Sequence, residues 1–440
     1  MHHHHKLVAR QKRILVGKYF ILMKWFVAII FILLLNPVFL FGEHEEYNMK
    51  YKEGIPVVEI KAKTDYEYGL KEGKFLKEYY GDGIKALYNT WKEKVIAMEK
   101  EAKQHVKTLQ EYYPSFLERL QGLSDGLCIP LLHLVALDMM FPSIFMKRDA
   151  CTSAAIAAVA TKDNQTYISW NIDVNYLYKI IFSRYLSPPP LIICNITGKY
   201  KYVKFGILPS IFGFGFLNEK GLAYAAAMVE VNDTGEGLTS LELNNLAMET
   251  CSSVDEVKEL YENAERRSGI KKLDTAFGLT SNMNTLWVDE KDAMLIEYTH
   301  NYFAFKKGIL LAETNHHQLL DANLTGAPKN DGTFMNTSSF VRLKRAYELL
   351  NEYNGSIDID FLMKVFTVDH KKGYVENKRD LWDICRHSLN TPHFPWDLLS
   401  YFYGTACVVI IQPREYIAYY CPGHPCWMSF KKLDFKDELG

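Results

Sequence analysis

The sequence predicts an α+β protein, with helices outside a pair of antiparallel sheets and a mainly helical segment in front. Three observations predict it. Residues 57–150 are rich in helical, heavily charged patterns. From Cys151 onward the texture turns to short apolar runs separated by turn signals, which is how strands read. Helical periods then return between two groups of strands, the order of stacked layers within one domain.

In chain order, residues 43–56 read as a polar linker and 57–60 as one strand. Residues 66–106 carry a helical pattern broken at Gly81-Asp82-Gly83. Pro114 opens a further helix, where its missing N–H costs nothing, and Gly122 reads as the glycine that ends it. Another helix covers 131–140. This segment has too little apolar sequence to stand alone and should pack on the strands beyond Cys151. After Cys151, residues 152–160 and 166–170 read as a hairpin around Lys162-Asp163-Asn164-Gln165. Further strands lie at 191–196, 201–205, 213–217 and 222–229, the last two joined by Asn218-Glu219-Lys220-Gly221. A helix covers 241–249, and the capping box Ser253-Val-Asp-Glu256 opens the next. Strands resume at 286–288, 293–298, 303–305 and 310–316. Phe340, Leu343, Tyr347 and Leu350 share one helical face, and 359–366 is helical too. Strands at 404–411, 417–420 and 427–430 close the chain.

Composition bounds the function. A chain of 440 residues with 48% hydrophobic content can bury one large core or two smaller ones. Its 51 basic and 52 acidic residues give no basic field for nucleic acid and no acidic block for disorder. Residues 1–24 are basic and acid-free, and an apolar run extends from Trp25 to Phe41, broken by Asn36-Pro37. That pattern predicts a secretory signal over 1–42, with Met23 as an alternative start. An uncleaved membrane anchor is the other reading, since the run is near the shortest length that spans. Asn-X-Ser/Thr acceptors at Asn164, Asn195, Asn232, Asn323, Asn336 and Asn354 fit a secreted glycoprotein. The terminal Lys436-Asp437-Glu438-Leu439 is followed by Gly440, which spoils a retrieval signal and leaves a charged tail.

Eight cysteines are too few for a disulfide scaffold at this length. Cys421 and Cys426 are spaced to close a small loop in an oxidising compartment. His424 lies between them, but no second pair answers, so no metal site is expected.

The stretch Asp149-Ala150-Cys151-Thr152-Ser153 stands where the helical segment ends and the strands begin. A thiol is a strong nucleophile that needs a base. A free α-amino group titrates at about 7.7–8.0 and can be that base. If the chain cuts itself between Ala150 and Cys151, the amine of Cys151 serves its own thiol. The small Ala150 leaves room for the thiol to reach its carbonyl. The plainer reading is a small buried residue at a strand start, as many cysteines are.

Several short motifs then occur in a familiar order. Pro114-Ser-Phe-Leu-Glu-Arg-Leu-Gln-Gly122-Leu-Ser-Asp-Gly126 is followed by Cys151-Thr-Ser, Asn171-Ile-Asp173 and Asn218-Glu-Lys-Gly221-Leu222. Thr314-Asn315-His316 and Ile384-Cys385-Arg386-His387 complete the set. Together they resemble the acyl-CoA:6-aminopenicillanic acid acyltransferase family of N-terminal nucleophile hydrolases, over most of residues 57–430. The resemblance implies a four-layer αββα fold, self-cleavage before Cys151 and no cofactor. It implies a propeptide or small subunit over 43–150 and a catalytic large subunit over 151–440, the two remaining associated. It also implies that Asp173 orients the Cys151 amine and that Asn315 donates to the oxyanion. Substrates would be N-acyl amides or peptides, with acyl-CoA as a further donor. Asn171, Arg342 and Arg386 are candidates for binding substrate, the two arginines through a carboxylate. The chain departs from related branches at Trp170, Ala227-Met228 and Tyr403. Two other readings remain: a papain-like thiol protease pairing Cys151 with His316 or His387, and a secreted binding protein that keeps the fold without the chemistry.

Overall fold

Among the described residues, strand pairing builds two sheets. The first has nine strands, in the order β1 (Asn48–Lys52), β2 (Ile55–Ala62), β5 (Leu191–Ile196), β6 (Tyr202–Phe205), β7 (Phe214–Asn218), β8 (Ala223–Val231), β9 (Thr280–Val288), β10 (Ala293–Tyr298) and β11 (Phe303–Lys307). The second has six, in the order β12 (Leu310–Glu313), β3 (Ala150–Ile156), β4 (Tyr167–Asn175), β13 (Tyr403–Gln412), β14 (Ile417–Cys421) and β15 (Lys431–Asp434). Neighbours are antiparallel except β2 and β5, which run parallel. This computed structural model describes residues 47–145, 150–175, 190–205, 213–268, 280–330, 332, 334–370, 383–386 and 403–440. The basic start over 1–42 and His387 lie outside the described residues. Among the described residues no single helix is long and apolar enough to cross a membrane.

Side-chain alternation along each strand sets the layers. On β3 and β4, Cys151, Ala155, Ile168, Trp170 and Ile172 join the large apolar cluster that also takes residues of β8 and β9. The alternate residues Ala154, Ile156 and Tyr167 join a second cluster with α8 (Phe334–Glu352) and the turns over 359–366. The large cluster continues through the nine-stranded sheet to α1 (Asp65–Tyr80), α2 (Asp82–Ala97), α3 (Glu99–Tyr112), α4 (Pro114–Leu127), α5 (Leu131–Phe145), α6 (Ser240–Thr250) and α7 (Val254–Asn263). The architecture is thus α+β, with helices on the outer face of each of two mostly antiparallel sheets.

The structure corrects several expectations. The polar linker contains β1, an edge strand whose exposed residues hide it from a hydrophobicity reading. Gly122 does not end a helix: α4 runs on to Leu127. Gly122 and Gly126 instead face Gly69 and Gly73 of α1, so the two backbones touch. A Cβ on Gly122 would stand 2.0 Å from the Tyr66 carbonyl oxygen, and one on Gly69 would stand 1.9 Å from that of Arg119. Residues 427–430 are a turn after Pro425, and the closing strand is β15. Asn195 lies within β5 and donates to Glu59 Oε1 (2.9 Å), which removes it as an exposed glycan acceptor.

None of the eight cysteines is in a disulfide. The expected Cys421–Cys426 loop closure is absent because Cys421 points into the core, its thiol near the Gly423 and Met428 carbonyls (3.6 Å each). Cys426 turns instead toward Cys385, with the sulfurs 3.7 Å apart.

A buried charge cluster ties the segment before Cys151 to the outside of the nine-stranded sheet. Arg119 of α4 donates to Asp65 (2.6 Å) and to Glu249 of α6. Lys199 reaches the same two carboxylates (2.8 Å each), and Tyr113 donates to Glu249 (2.7 Å).

Candidate active site

Cys151 is the second residue of β3 and is 1% exposed. Its strand pairs with β4 so that Cys151 faces Ile172 and Ala150 faces Asp173. Directly opposed residues point to the same side of a sheet. Cys151 therefore belongs to the inner face with Ile172 and Trp170, while Asp173 and Asn171 belong to the outer face under α8.

Two side chains, Asn315 and Arg342, converge on the backbone of Cys151 and its neighbours. The Cys151 N–H donates to Asn315 Oδ1 (3.1 Å). Arg342 of α8 donates through Nη1 to the Cys151 carbonyl and to Thr152 Oγ1 (2.8 Å). Its Nη2 donates to Asn315 Oδ1 (2.8 Å). Asn315 Nδ2 donates to the Met228 carbonyl on β8 (2.9 Å). Two donors on one end and an acceptor on the other fix which way this amide faces. Asn315 thus presents its carbonyl to Cys151, the reverse of the polarity expected of an oxyanion donor.

Asn315 is placed by the segment after β12. Glu297 accepts backbone N–H bonds from Gln318 (2.6 Å), Leu319 (2.8 Å) and Leu320 (3.0 Å), which pins the turn beyond it. Asn284 Nδ2 donates to the His316 carbonyl (2.8 Å). The His316 ring stacks on Phe340 with centroids 3.7 Å apart, and its Nδ1 pairs with Ser339 Oγ (2.7 Å). Burial, with Arg342 and His317 nearby, holds the His316 imidazole at a pKa of about 3. It is a neutral core residue, engaged by Ser339 and Phe340.

Asp173 is fully buried. Thr405 donates to its Oδ1 (2.7 Å), and Arg386 approaches its Oδ2 at 3.6 Å. Burial pushes the Asp173 carboxyl up to about 6, outweighing the Arg386 and Arg342 cations and the Thr405 bond that favour its charge. Thr405 also accepts from the Arg386 backbone N–H (2.9 Å), so one hydroxyl aligns both partners. A register shift in β13 between Thr405 and Cys407 accompanies this arrangement.

The three expected substrate contacts are buried in this geometry. Asn171 is buried and its Nδ2 donates to the Thr367 (3.0 Å) and Ile384 (3.2 Å) carbonyls. Arg386 is fully buried beside Asp173, and Arg342 is 1% exposed and aimed at Cys151. Sequence reasoning missed Thr405 and Glu297, and quoted Thr152 only within Cys151-Thr-Ser without a role. Nothing local in the sequence flags either: Thr405 and Glu297 are strand residues outside every quoted motif.

No family model matches the chain, and no curated protein does. Among solved structures it is similar to two variants of the conjugated bile acid hydrolase from Clostridium perfringens. The first is 17% identical with a TM-score of 0.40, covering 66% of this chain and 93% of that one. The second is 13% identical with a TM-score of 0.39 and the same coverage. Penicillin V acylase from Agrobacterium tumefaciens is 13% identical with a TM-score of 0.36, covering 62% of this chain and 82% of that one.

Proposed function

We propose that the chain cuts itself between Ala150 and Cys151, and that Cys151 then attacks the carbonyl of a linear amide as an N-terminal nucleophile. The observation that carries this reading is the Asn315 carbonyl oxygen on the Cys151 backbone nitrogen. Self-cleavage would turn that nitrogen into an amine already held by a side chain. In the cleavage, the Cys151 sulfur adds to the Ala150 carbonyl carbon. The carbon–nitrogen bond breaks and the thiol proton ends on nitrogen. Water then opens the thioester, leaving an Ala150 carboxylate and a free Cys151 thiol.

In the mature enzyme the amine takes the thiol proton as sulfur attacks substrate, and returns it to the leaving amine. Asn315 accepts one N–H of the amine. Asp173, across the ladder at Ala150, favours its charged form and its position. Arg342 fixes the Cys151 carbonyl and with it the sulfur. Donation by Asn315 to an oxyanion would require its amide to leave the Met228 carbonyl. The acyl-enzyme then passes to water, as in a hydrolase, or to an amine, as in an acyltransferase. This chemistry needs no metal or bound cofactor. The segment before the cut would stay bound, because Val57, Val58 and Ile60 of β2 are fully buried beside β5. The basic, apolar start is the reason to place the protein in the secretory pathway, with a membrane anchor as the alternative.

The test is to offer processed protein N-acyl amides, small peptides and acyl-CoA donors, then search Cys151 for a trapped acyl group by mass spectrometry. An acyl mass on the peptide beginning at Cys151 supports the reading. Turnover with acyl transfer to another residue rejects it. A second reading, a binding protein without chemistry, is favoured by the near-complete burial of Cys151. It expects a wild-type chain that stays intact.

A further inference from the structure

One cluster outside the proposed catalytic residues has the chemistry of a metal site. His370, Cys385 and Cys426 come from three separate stretches: the turn after residues 362–366, the short segment before Arg386, and the turn after β14. One ring nitrogen of His370 and both sulfurs lie within 4.8 Å of one another. The two sulfurs are 3.7 Å apart. Thiolates bound at about 2.3 Å to one tetrahedral zinc stand about 3.8 Å from each other, whereas a disulfide requires about 2.0 Å. Asp383 Oδ2 lies 3.5 Å from His370 Nδ1. A carboxylate beside one ring nitrogen is how metal-bound imidazoles are commonly oriented, the other nitrogen taking the ion. Two sulfurs and one imidazole select a borderline or soft cation over calcium or magnesium.

We propose that His370, Cys385 and Cys426 bind a divalent cation of the zinc class, with Asp383 orienting the imidazole and water in the fourth position. The sequence spacing points to Cys421, His424 and Cys426 and away from a metal; the fold replaces the first two of these with Cys385 and His370. Burial and the neighbouring Cys426 raise the Cys385 thiol, so binding releases its proton to solvent. The site has a structural consequence. Cys385 is bonded to Arg386, whose guanidinium faces Asp173. An ion held by Cys385 would fix the short 383–386 segment and, through Arg386, the Asp173 carboxyl.

The experiment uses the full chain, reduced and stripped of metal by a chelator, and titrates it with cobalt(II). The expected result is one cobalt per chain, with thiolate-to-cobalt charge-transfer bands that zinc abolishes. Cys426→Ser, a change at an exposed position, should weaken cobalt binding at least tenfold while far-ultraviolet circular dichroism stays unchanged. Cys421→Ser should leave binding as in the wild type. Absence of thiolate bands at stoichiometric cobalt would overturn the proposal. So would bands that persist in Cys385→Ser, or a Cys385–Cys426 disulfide found by mass spectrometry in unreduced native protein. The readout is spectroscopic, so it stands or falls separately from self-processing.

Discussion

Among the described residues, one buried arginine–carboxylate cluster outside the nine-stranded sheet and one outside the six-stranded sheet are balanced differently. Outside the nine-stranded sheet, Arg119 and Lys199 face Asp65 and Glu249, two cations for two carboxylates. Burial alone would raise Glu249, yet Arg119 and Lys199 pull its carboxyl below the ordinary range. Outside the six-stranded sheet, burial wins and Asp173 rises to about 6. Arg386 approaches it at 3.6 Å, and Arg342 spends its donors on Cys151, Thr152 and Asn315. A fully compensated cluster holds segments together. A carboxyl left poised near neutrality marks a place where protons matter.

The first way to break this comparison is to unbalance the compensated cluster. Glu249→Ala leaves Arg119 and Lys199, two buried cations, sharing the single carboxylate of Asp65 and should cost about 3–5 kcal/mol. Urea unfolding measures it, and processing by the folded fraction should stay as in the wild type. Next, Arg342→Met removes the donors around Cys151. Processing should slow by about 10²–10³-fold, the scale of losing a placed donor at a reacting carbonyl. Time-resolved gel analysis of refolding chains reads this directly, and an unchanged rate would place Arg342 in the same class as Arg119.

The third test sharpens the contrast at Asp173. Below about pH 6 the ionised fraction of Asp173 falls about tenfold per pH unit, and turnover by the processed enzyme should fall with it. Asp173→Asn should flatten that limb. Stability has the opposite sign. The folded value lies above the ordinary 3.8, so Asp173 contributes stability that is full below pH 3.8 and lost by about pH 6. The difference is about 3 kcal/mol for a shift of this size. His316 and His317, held at about 3 and about 4, oppose it, since both must charge on unfolding below pH 6.5. The Asp173 contribution is therefore read as wild type minus Asp173→Asn in urea titrations across that range. The smallest effect expected is from Gly122→Ala, about 1–3 kcal/mol as α1 and α4 are forced apart. Thermal melting checks it, with processing by folded protein unchanged.

Much of the fold was legible because its strands are apolar and bounded by turn residues: β5 and β10 fall on the residues expected. The sequence placed Cys151 at a strand start, which is where the fold puts it, and Asp173 just beyond a returning strand over 166–170, whereas β4 runs on to Asn175 and includes it. What escaped did so for three reasons. β1 escaped because an edge strand of polar residues has no hydrophobic signature. Gly122 escaped because a glycine for close helix contact and a glycine that ends a helix look alike until the partner helix is known. The partners of Asp173 and of Cys426 escaped for a third reason, distance along the chain. Thr405 stands over two hundred residues from Asp173, and nothing local in the sequence pairs Cys426 with Cys385. The polarity of Asn315 was likewise set by Met228, a residue of the other sheet.

The central claim is that Cys151 becomes an N-terminal residue by its own chemistry. Intact mass and N-terminal sequencing of purified wild type beside Cys151→Ala test it most directly. The account predicts two fragments that copurify, a new N-terminus at Cys151 in the wild type, and a single uncut chain in the variant. A folded wild-type chain that stays whole from neutral to acid pH, or a variant cut at the same bond, would contradict it.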